Sequence, residues 1–473
     1  MAKKKLLLIY PGNKHNIATN NNYRQEKVID TGKPWLPPLP LLTVAAMTPN
    51  TYEVEIWDEF VKGPITSDNL PKADIYGIGG LTPSRKGAYR TADIIRRQGG
   101  HVVAGGMDVT GYYEEGYSTE LHKHFDAIVP GRLTSKLWEI VLNDFEKGNI
   151  QRTYKADKDE PWEYIVPRHD LVEIDKYFCP AIVRSSDGCN EACHFCTVHL
   201  VIGKRAKVHA KPADILREEL TVLPKAKYFI DAADSFGADY DHTVNVVLPL
   251  YKEHYERTGA RWLTEMTVRN LLGINAAGKK DRDELIKPMA NAGCIAVYIG
   301  IENIYDNVSH KLLDTKMVEE AIRKIHDAGM LVVGSFLLDA SGKETKKSIK
   351  KTVSWVIRNK IDFVQYSLLA LLPGSMSKDK AVNDKMVIDS NPEHMDGAWP
   401  TVKHQMTPME RIEALSYAYC RTNSLWNILR RLVRSRSKFK QQAFVAAANW
   451  RIRKSARDWA KVYNYDYWVR TQE

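Results

Sequence analysis

The sequence predicts an α/β protein in which a doubly wound parallel sheet precedes a partial (β/α) barrel and a helical C-terminal part. Two observations support this fold class. Short apolar runs alternate with helical patterns over most of the 473 residues, which is typical of parallel sheets. The charged, proline-punctuated stretch KADKDEPWEYIVPRHD divides this alternation into two segments. A chain of this length also exceeds what a single hydrophobic core supports, so we expect several domains.

The first segment, residues 1–150, contains five apolar runs that predict strands: KKLLLIYP, YEVEIWDE, ADIYGIGGLT, HVVAGGMDVT and FDAIVPGR. RKGAYRTADIIRRQG and TSKLWEIVLNDFEKG have helical spacing and stop at glycines, a common helix end. Ligands of doubly wound sheets bind at the carboxyl ends of the strands. Gly79-Gly80 and Gly105-Gly106 lie at such ends and would let a large ligand approach the backbone closely.

The pattern is lost over residues 151–178, which we interpret as a linker. From 179 to 390 about six strand–helix units follow, with strands predicted at CPAIVRSS, KYFIDAAD, RWLTEMTV, CIAVYIGIE, LVVGSFLLD and FVQYSLLALLPGS. The active site of such a barrel lies at the carboxyl ends of its strands. The residues at or just past those ends are Cys189, Asp231, Glu265, Glu302, Asp339 and Gly374.

The positive charge of the chain is concentrated near its C-terminus. Residues 421–461 hold twelve Lys or Arg and one acid, a net charge of +11, so the remainder sums to about −1 of the total +10. This distribution argues against a general nucleic-acid binder. We predict a basic helical subdomain over 391–473. Its charge fits a solvated face, an anionic surface or ligand such as lipid, or a nucleic acid.

The sequence also bears on location. The apolar run near the N-terminus breaks at Pro11, and no apolar stretch approaches the roughly 18–20 residues that cross a bilayer. Three of the six cysteines crowd into one short motif, which favours reduced thiols over a disulfide framework. We therefore expect a cytoplasmic protein without a transmembrane segment.

That motif is SSDGCNEACHFCTVHL, in which Cys189, Cys193 and Cys196 are spaced C-x3-C-x2-C. Three interpretations apply. A zinc site would need a fourth ligand, which His194 or His199 could supply. A chance cluster of buried thiols is the second. The third is an iron–sulfur cluster, in which three thiolates on four irons leave one iron open for a substrate or cofactor.

CNEACHFC on a loop after the first strand of a barrel resembles the radical S-adenosylmethionine (SAM) superfamily. The resemblance implies a 4Fe-4S cluster on the three cysteines, with SAM chelating the open iron and being cleaved to an adenosyl radical that takes hydrogen from a substrate. It also implies an electron donor of the flavodoxin or ferredoxin type. The residues that it implies for SAM binding are Phe195, Asp231, Asp234, Glu265, Glu302, Gly334 and Pro373.

The domain order narrows the resemblance to the subclass with an N-terminal cobalamin-binding domain, to which the first domain is similar. It implies cobalamin as a further cofactor, with contacts from Leu81, Thr82, Pro83, Ser84, Gly105, Gly106 and Gly131. Two stretches depart from that subclass. GGMDVT stands where a Gly-Gly-Pro-His stretch is usual, and PGRLTS stands where an acidic Gly-Glu-Gly-Glu turn is usual.

The favoured function is therefore a cobalamin-dependent radical SAM methyltransferase acting on an unactivated carbon. Because of the two departures, an oxidative cyclase or a transferase of another SAM-derived group without cobalamin is an alternative. A zinc-containing nucleic-acid-binding protein is the alternative from another class. The sequence does not identify a substrate or a catalytic residue beyond the cluster ligands.

Overall fold

The structure is a computed structural model that describes residues 3–12, 33–157, 160–202, 207–275, 277–305, 314–434 and 439–462. The predicted fold class is confirmed. Two parallel sheets follow one another along the chain, and helices complete the C-terminal part. In the described residues, no helix is both long and apolar enough to cross a membrane. The basic positions Arg436 and Lys438 and residues 463–473 lie outside the described residues.

The first sheet has five parallel strands in the order β2-β1-β3-β4-β5. They are β1 Lys4–Tyr10, β2 Tyr52–Asp58, β3 Ile75–Gly79, β4 Val102–Gly105 and β5 Ala127–Val129. The helices around them are α1 Leu39–Met47, α2 Glu59–Lys62, α3 Arg85–Arg97, α4 Met107–Glu114, α5 Ser118–His124 and α6 Ser135–Lys147. The strand order reverses between β1 and β3, which opens a crevice at the carboxyl edge there.

Both faces of this sheet are buried, as its near-continuous apolar strands require. In β1, Leu6 and Leu8 pack into one core cluster, and Leu7 and Ile9 pack into another. The strand predicted over HVVAGGMDVT ends at Gly105, earlier than its apolar residues suggest. Gly106 has a φ of +99°, which turns the chain out of the strand and into helix α4.

The second sheet has six parallel strands in chain order. They are β6 Ala181–Val183, β9 Tyr228–Asp231, β10 Arg261–Met266, β11 Cys294–Glu302, β12 Leu331–Leu337 and β13 Phe363–Ser367. The first and last strands do not pair in the described part of the chain, so the barrel is partial. Strands β7 Ser186–Gly188 and β8 Val208–Ala210 form a separate antiparallel pair that the sequence pattern did not predict.

Helices alternate with the strands of the barrel. They are α7 His199–Ile202, α8 Ala213–Val222, α9 Tyr240–His242, α10 Leu248–Thr258, α11 Val268–Leu272, α12 Ile286–Asn291, α13 Thr315–Asp327, α14 Lys346–Arg358 and α15 Met376–Asn383. A turn of π-helix at Thr243–Val247 joins α9 to α10. The segment 151–178 contains short 3₁₀ turns at His169–Leu171 and Ile174–Lys176 and no longer element in its described part.

The C-terminal part consists of α16 Pro408–Thr422, α17 Leu425–Arg434 and α18 Phe439–Val462. Helix α16 covers the free edge of β13. Tyr366 donates its backbone N–H to the Tyr419 hydroxyl at 2.9 Å, and that hydroxyl donates to the Tyr366 carbonyl at 3.0 Å. This pair satisfies backbone groups of an edge strand that would otherwise be open to pairing with another chain.

Candidate active site

The cysteine loop follows β7 at the carboxyl end of the barrel. Cys193 is buried, and Cys189 and Cys196 are half-buried. The Cys196 backbone N–H donates to the Cys193 carbonyl at 3.2 Å, which folds the loop into a turn. Burial raises the pKa of Cys189 to about 11, and the negative charge of Cys196 adds to this effect. Two thiolates in this environment need a cation beside them, and iron would supply it.

Residues of helix α11, which follows β10, hold the first half of the loop. Glu191 forms an ion pair with Arg269 at 2.5 Å, and both side chains are buried. Asn190 and Asn270 exchange hydrogen bonds at 2.9 and 3.4 Å. Because Arg269 and Asn270 both lie in α11 directly after β10, one short helix sets the position of the loop against the barrel.

The second half of the loop is held from the other side of the barrel. Phe195 packs against an apolar cluster that includes Leu369 and Leu371, which follow β13. The backbone N–H of Ser377 donates to the His194 carbonyl at 3.0 Å. The loop is thus clamped between the segment after β10 and the segment after β13. Phe195, which was predicted to contact SAM, forms part of this clamp.

The described residues contain no group of three or more His, Cys, Asp or Glu side chains that is arranged to hold a single metal ion. A tetrahedral zinc site would need a fourth ligand beside the three thiols. A cubane cluster binds each thiolate through a different iron and so spreads its ligands further apart. Three thiolates are therefore a donor set that suits an iron–sulfur cluster with one open iron.

Asp231 ends β9 and Asp234 follows it, but their environments differ. Asp231 is fully buried and accepts hydrogen bonds from Ser185 N–H at 3.1 Å and from the Tyr251 hydroxyl at 2.8 Å. It therefore holds the strand ends together and does not face open space, which weighs against its predicted contact with SAM. Asp234 accepts from the Gly188 N–H at 2.8 Å, directly before Cys189. Its half-buried side chain stays a candidate for SAM binding.

The concave face of the barrel is lined with polar side chains. Glu265 is exposed in the middle of the barrel sheet, and its charge acts on both Arg184 and Tyr298. Burial opposes the charge of Arg184, but Asp234 and Asp187 outweigh it and raise the pKa of the guanidinium. The carboxylate of Glu265 therefore faces an open lumen, as a ligand contact requires.

Tyr298 and Gln365 were missed by the sequence analysis. The Tyr298 hydroxyl donates to Gln365 Oε1 at 2.9 Å. This bond links β11 to β13 and passes over β12, so the two side chains meet across the concave face. Arg184, whose side chain is 37% exposed, also lines this face. A polar residue in the middle of an apolar strand is the signal that could have found Tyr298 and Gln365.

Glu302 has an unusual backbone. It ends β11 at a register shift, and its φ of +62° lies in the left-handed region. A residue other than glycine adopts this conformation only when its surroundings enforce it, and such strain is frequent at functional sites. The next residue, Asn303, donates its side-chain amide to Glu344 Oε1 at 3.0 Å. Glu344 in turn contacts His404 at 3.3 Å, so a buried chain of polar groups fixes the strained turn.

Two other residues predicted to bind SAM lie elsewhere. A side chain at Gly334 would meet Ile361 and Phe336 at 3.2 Å, so this glycine faces the helix layer and not the lumen. Pro373 packs against helix α4 of the first domain. A Cβ added to Gly111 of that helix would lie 2.4 Å from the Pro373 carbonyl oxygen. Neither position offers a side-chain contact in the lumen, and this geometry weighs against both predictions.

The residues predicted to contact cobalamin follow three adjacent strands. Leu81, Thr82, Pro83 and Ser84 follow β3, Gly105 ends β4 and Gly106 follows it, and Gly131 follows β5. Leu81 and Gly106 are exposed, whereas the 3₁₀ turn Thr82–Ser84 is buried against the turn Pro392–His394. Gly131 donates its N–H to the Thr110 hydroxyl at 2.8 Å. At the carboxyl edge of the first sheet, the backbone and the glycines after β4 and β5 are therefore more accessible to a ligand than the turn after β3.

This edge faces the barrel. Helix α4 packs against α7, which follows the cysteine loop. Glu115, at the end of α4, accepts a hydrogen bond from the Gly374 N–H at 2.9 Å and pairs with Lys378 at 2.7 Å. The carboxyl edges of both sheets thus meet, with the cysteine loop between them.

Comparisons with known proteins agree with this arrangement. Residues 183–356 match the family model of the radical SAM superfamily. The chain is an enzyme that contains a radical SAM domain. Its structure is similar to the cobalamin-dependent SAM radical enzyme OxsB with aqua-cobalamin bound, at a TM-score of 0.63 and 11% identity over 98% of this chain and 81% of that one. At this identity, the likeness shows a shared fold.

Two curated relatives of this radical SAM enzyme are named as methylating proteins. Bacteriochlorophyllide d C-12(1)-methyltransferase of Chlorobaculum tepidum is 24% identical over 79% of this chain and 77% of the relative. Hopanoid C-2 methylase of Rhodopseudomonas palustris is 24% identical over 82% of this chain and 72% of the relative. The cofactors that the radical SAM domain itself implies are a 4Fe-4S cluster and SAM.

Proposed function

We propose that this radical SAM enzyme transfers a methyl group from SAM to a carbon atom of its substrate with the help of cobalamin. The observation that carries the proposal is the approach of the two carboxyl edges through Glu115, Gly374 and Lys378. A methyl carrier at the first edge would lie beside a substrate held over the cysteine loop. The names of the curated relatives and the fold shared with OxsB support the same function.

Each part of the chain has a separate task in this proposal. Cys189, Cys193 and Cys196 would hold the cluster, and the cluster supplies the electron that cleaves SAM. Asp234, Glu265 and Glu302 are the proposed polar contacts for SAM, because their carboxylates lie at the ends of three neighbouring strands. Leu81, Gly105, Gly106 and Gly131 would contact cobalamin, which carries methyl groups when bound. Tyr298 and Gln365 would orient a polar group of the substrate.

The domain boundaries at 150, 178 and 390 are part of this proposal, as is an electron donor of the flavodoxin or ferredoxin type. A reductant and a substrate are needed by any radical SAM enzyme. We also propose a cytoplasmic location, which is supported by the absence of disulfides among the six cysteines because reduced thiols are usual in that compartment.

Mass spectrometry of the SAM-derived products tests the proposal. The protein is reconstituted without oxygen with iron, sulfide and hydroxocobalamin, reduced, and incubated with SAM and a cell extract as substrate source. We expect both 5′-deoxyadenosine and S-adenosylhomocysteine, the second only when cobalamin is present. If 5′-deoxyadenosine forms without S-adenosylhomocysteine at any cobalamin concentration, methyl transfer is excluded, and a cyclase or another transferase takes its place.

A further inference from the structure

Two C-terminal helices expose large apolar side chains on the outside of the molecule. In α17 these are Leu425, Trp426 and Leu429, and in α18 they are Phe444 and Trp450. Each is between 45% and 67% exposed. Single exposed apolar residues are common on protein surfaces, but five on two helices that pack against each other mark an interaction site. We call these five residues the apolar face of the C-terminal helices.

Both helices are anchored at the same point of the barrel. Asn449 of α18 donates to the Asp362 carbonyl at 2.9 Å, and Arg431 of α17 lies 3.5 Å from the same oxygen. Each helix therefore turns its buried side toward the start of β13. Leu425, Trp426, Leu429 and Trp450 lie on the opposite sides, which point outward at the barrel end away from the cysteine loop, whereas the ring of Phe444 also contacts Phe363. The apolar face is thus separate from the candidate active site.

Basic residues accompany the apolar face on the same exposed sides. Arg430 is exposed beside Leu429, and Lys454 and Arg457 are exposed one and two turns beyond Trp450. Residues 421–461 together carry a net charge of +11. A helical surface with Trp and Leu on one side and Arg and Lys around them is typical of proteins that lie on an anionic membrane surface.

We propose that this face binds the surface of an anionic lipid bilayer, with Trp426 and Leu429 inserted at the interface and Arg430, Lys454 and Arg457 against lipid phosphates. The positive charge and the apolar side chains together distinguish a lipid surface from two other partners, a second copy of the chain and a nucleic acid. A second copy would bring two segments of +11 together, and like charges oppose such a contact. A nucleic acid would satisfy the basic residues but leave the leucines exposed, since phosphates offer nothing for apolar side chains to contact.

Vesicle sedimentation of the full chain tests this proposal and does not depend on SAM chemistry. Vesicles of phosphatidylcholine are compared with vesicles that also contain phosphatidylglycerol. We expect binding to the anionic vesicles and about tenfold weaker binding for Trp426→Ser with Leu429→Ser, because two apolar side chains lose their burial. Arg430→Gln with Lys454→Gln and Arg457→Gln should weaken binding about 100-fold.

Matched controls separate these effects from general damage. Val222→Ser with Ile174→Ser removes exposed apolar side chains from other surfaces, and Lys343→Gln with Lys347→Gln and Lys350→Gln removes three exposed charges; both should bind anionic vesicles as the parent does. Equal binding of the Trp426 and Leu429 variant and its control would overturn the proposal. So would salt-sensitive RNA binding without vesicle binding, or a dimer in sedimentation that Trp426→Ser abolishes.

Discussion

The carboxylate of Glu115 spans the contact between the two sheets of this radical SAM enzyme by pairing with Lys378 at 2.7 Å. Its second oxygen accepts the Gly374 N–H at 2.9 Å. Gly374 and Lys378 flank the start of α15, so an acidic group also lies at a helix N-terminus, where it is favoured. One side chain at the end of α4 thereby fixes the distance between the candidate cobalamin edge and the barrel.

Glu115→Ala should separate radical formation from methyl transfer. Loss of both contacts lets the two edges shift, and a misplacement of about 1 Å can cost on the order of 100-fold in rate. We expect 5′-deoxyadenosine formation to persist while methylated product falls about tenfold or more. The control is Lys380→Ala on the exposed side of α15, whose ammonium lies 3.7 Å from Asp384. Equal losses of both products would contradict this role.

The strained backbone at Glu302 predicts opposite effects on stability and on binding. Glu302→Gly should stabilise the protein by about 1 kcal/mol, because glycine adopts a φ of +62° without strain, yet it should weaken SAM binding. Lys360→Gly replaces an exposed residue with a φ of +56°. It should raise the stability of the protein and leave SAM binding unchanged. Calorimetry and equilibrium dialysis with SAM measure the two quantities. Unchanged SAM affinity in Glu302→Gly would remove this residue from the site.

The raised pKa of Asp58 leads us to expect that the protein loses stability as pH rises. It ends β2, is buried, and accepts the Tyr177 hydroxyl at 2.9 Å. Burial raises its pKa from 3.8 to about 6. The folded state therefore holds this proton more tightly than the unfolded state, and the stability from the neutral form is lost between about pH 4 and pH 6.

Asp58→Asn removes this titration. A shift of this size corresponds to about 3 kcal/mol at most, so the stability of the parent relative to the variant should fall by up to that amount from pH 4 to pH 7. Thermal unfolding of both proteins across this range measures the difference. The exposed Asp68→Asn is the control. A variant whose pH profile parallels that of the parent would show that Asp58 is already ionised at pH 4.

The order of strands and helices could be predicted because parallel sheets require apolar runs. The runs in β1 and β11 are buried on both faces, and their composition is unmistakable. The antiparallel pair β7–β8 could not be predicted, because Ser186–Gly188 and Val208–Ala210 are too short to show a period. The end of β4 was placed too late because Val109 continues its apolar pattern on the other side of the Gly106 turn.

The cysteine loop could be proposed as the cluster site from the sequence, because three thiols within eight residues are a typical donor set for iron. The rest of the site depends on which way a side chain points. Asp231 and Asp234 are three residues apart, yet one is locked by Tyr251 and Ser185 while the other borders Cys189. Gly334 and Ser335 are adjacent, but only Ser335 faces Tyr298. Such differences follow from the packing of strands far apart in sequence.

Iron and acid-labile sulfide analysis of Cys193→Ser tests the central claim most directly. Cys420→Ser, outside the loop and half-buried, is the control, and both proteins are purified without oxygen and checked for their fold by circular dichroism. We predict about four irons and four sulfides per chain in the parent and in Cys420→Ser, with loss of both iron and 5′-deoxyadenosine formation in Cys193→Ser. A folded Cys193→Ser protein that retains its iron and still cleaves SAM would contradict the assignment of this loop as the cluster site.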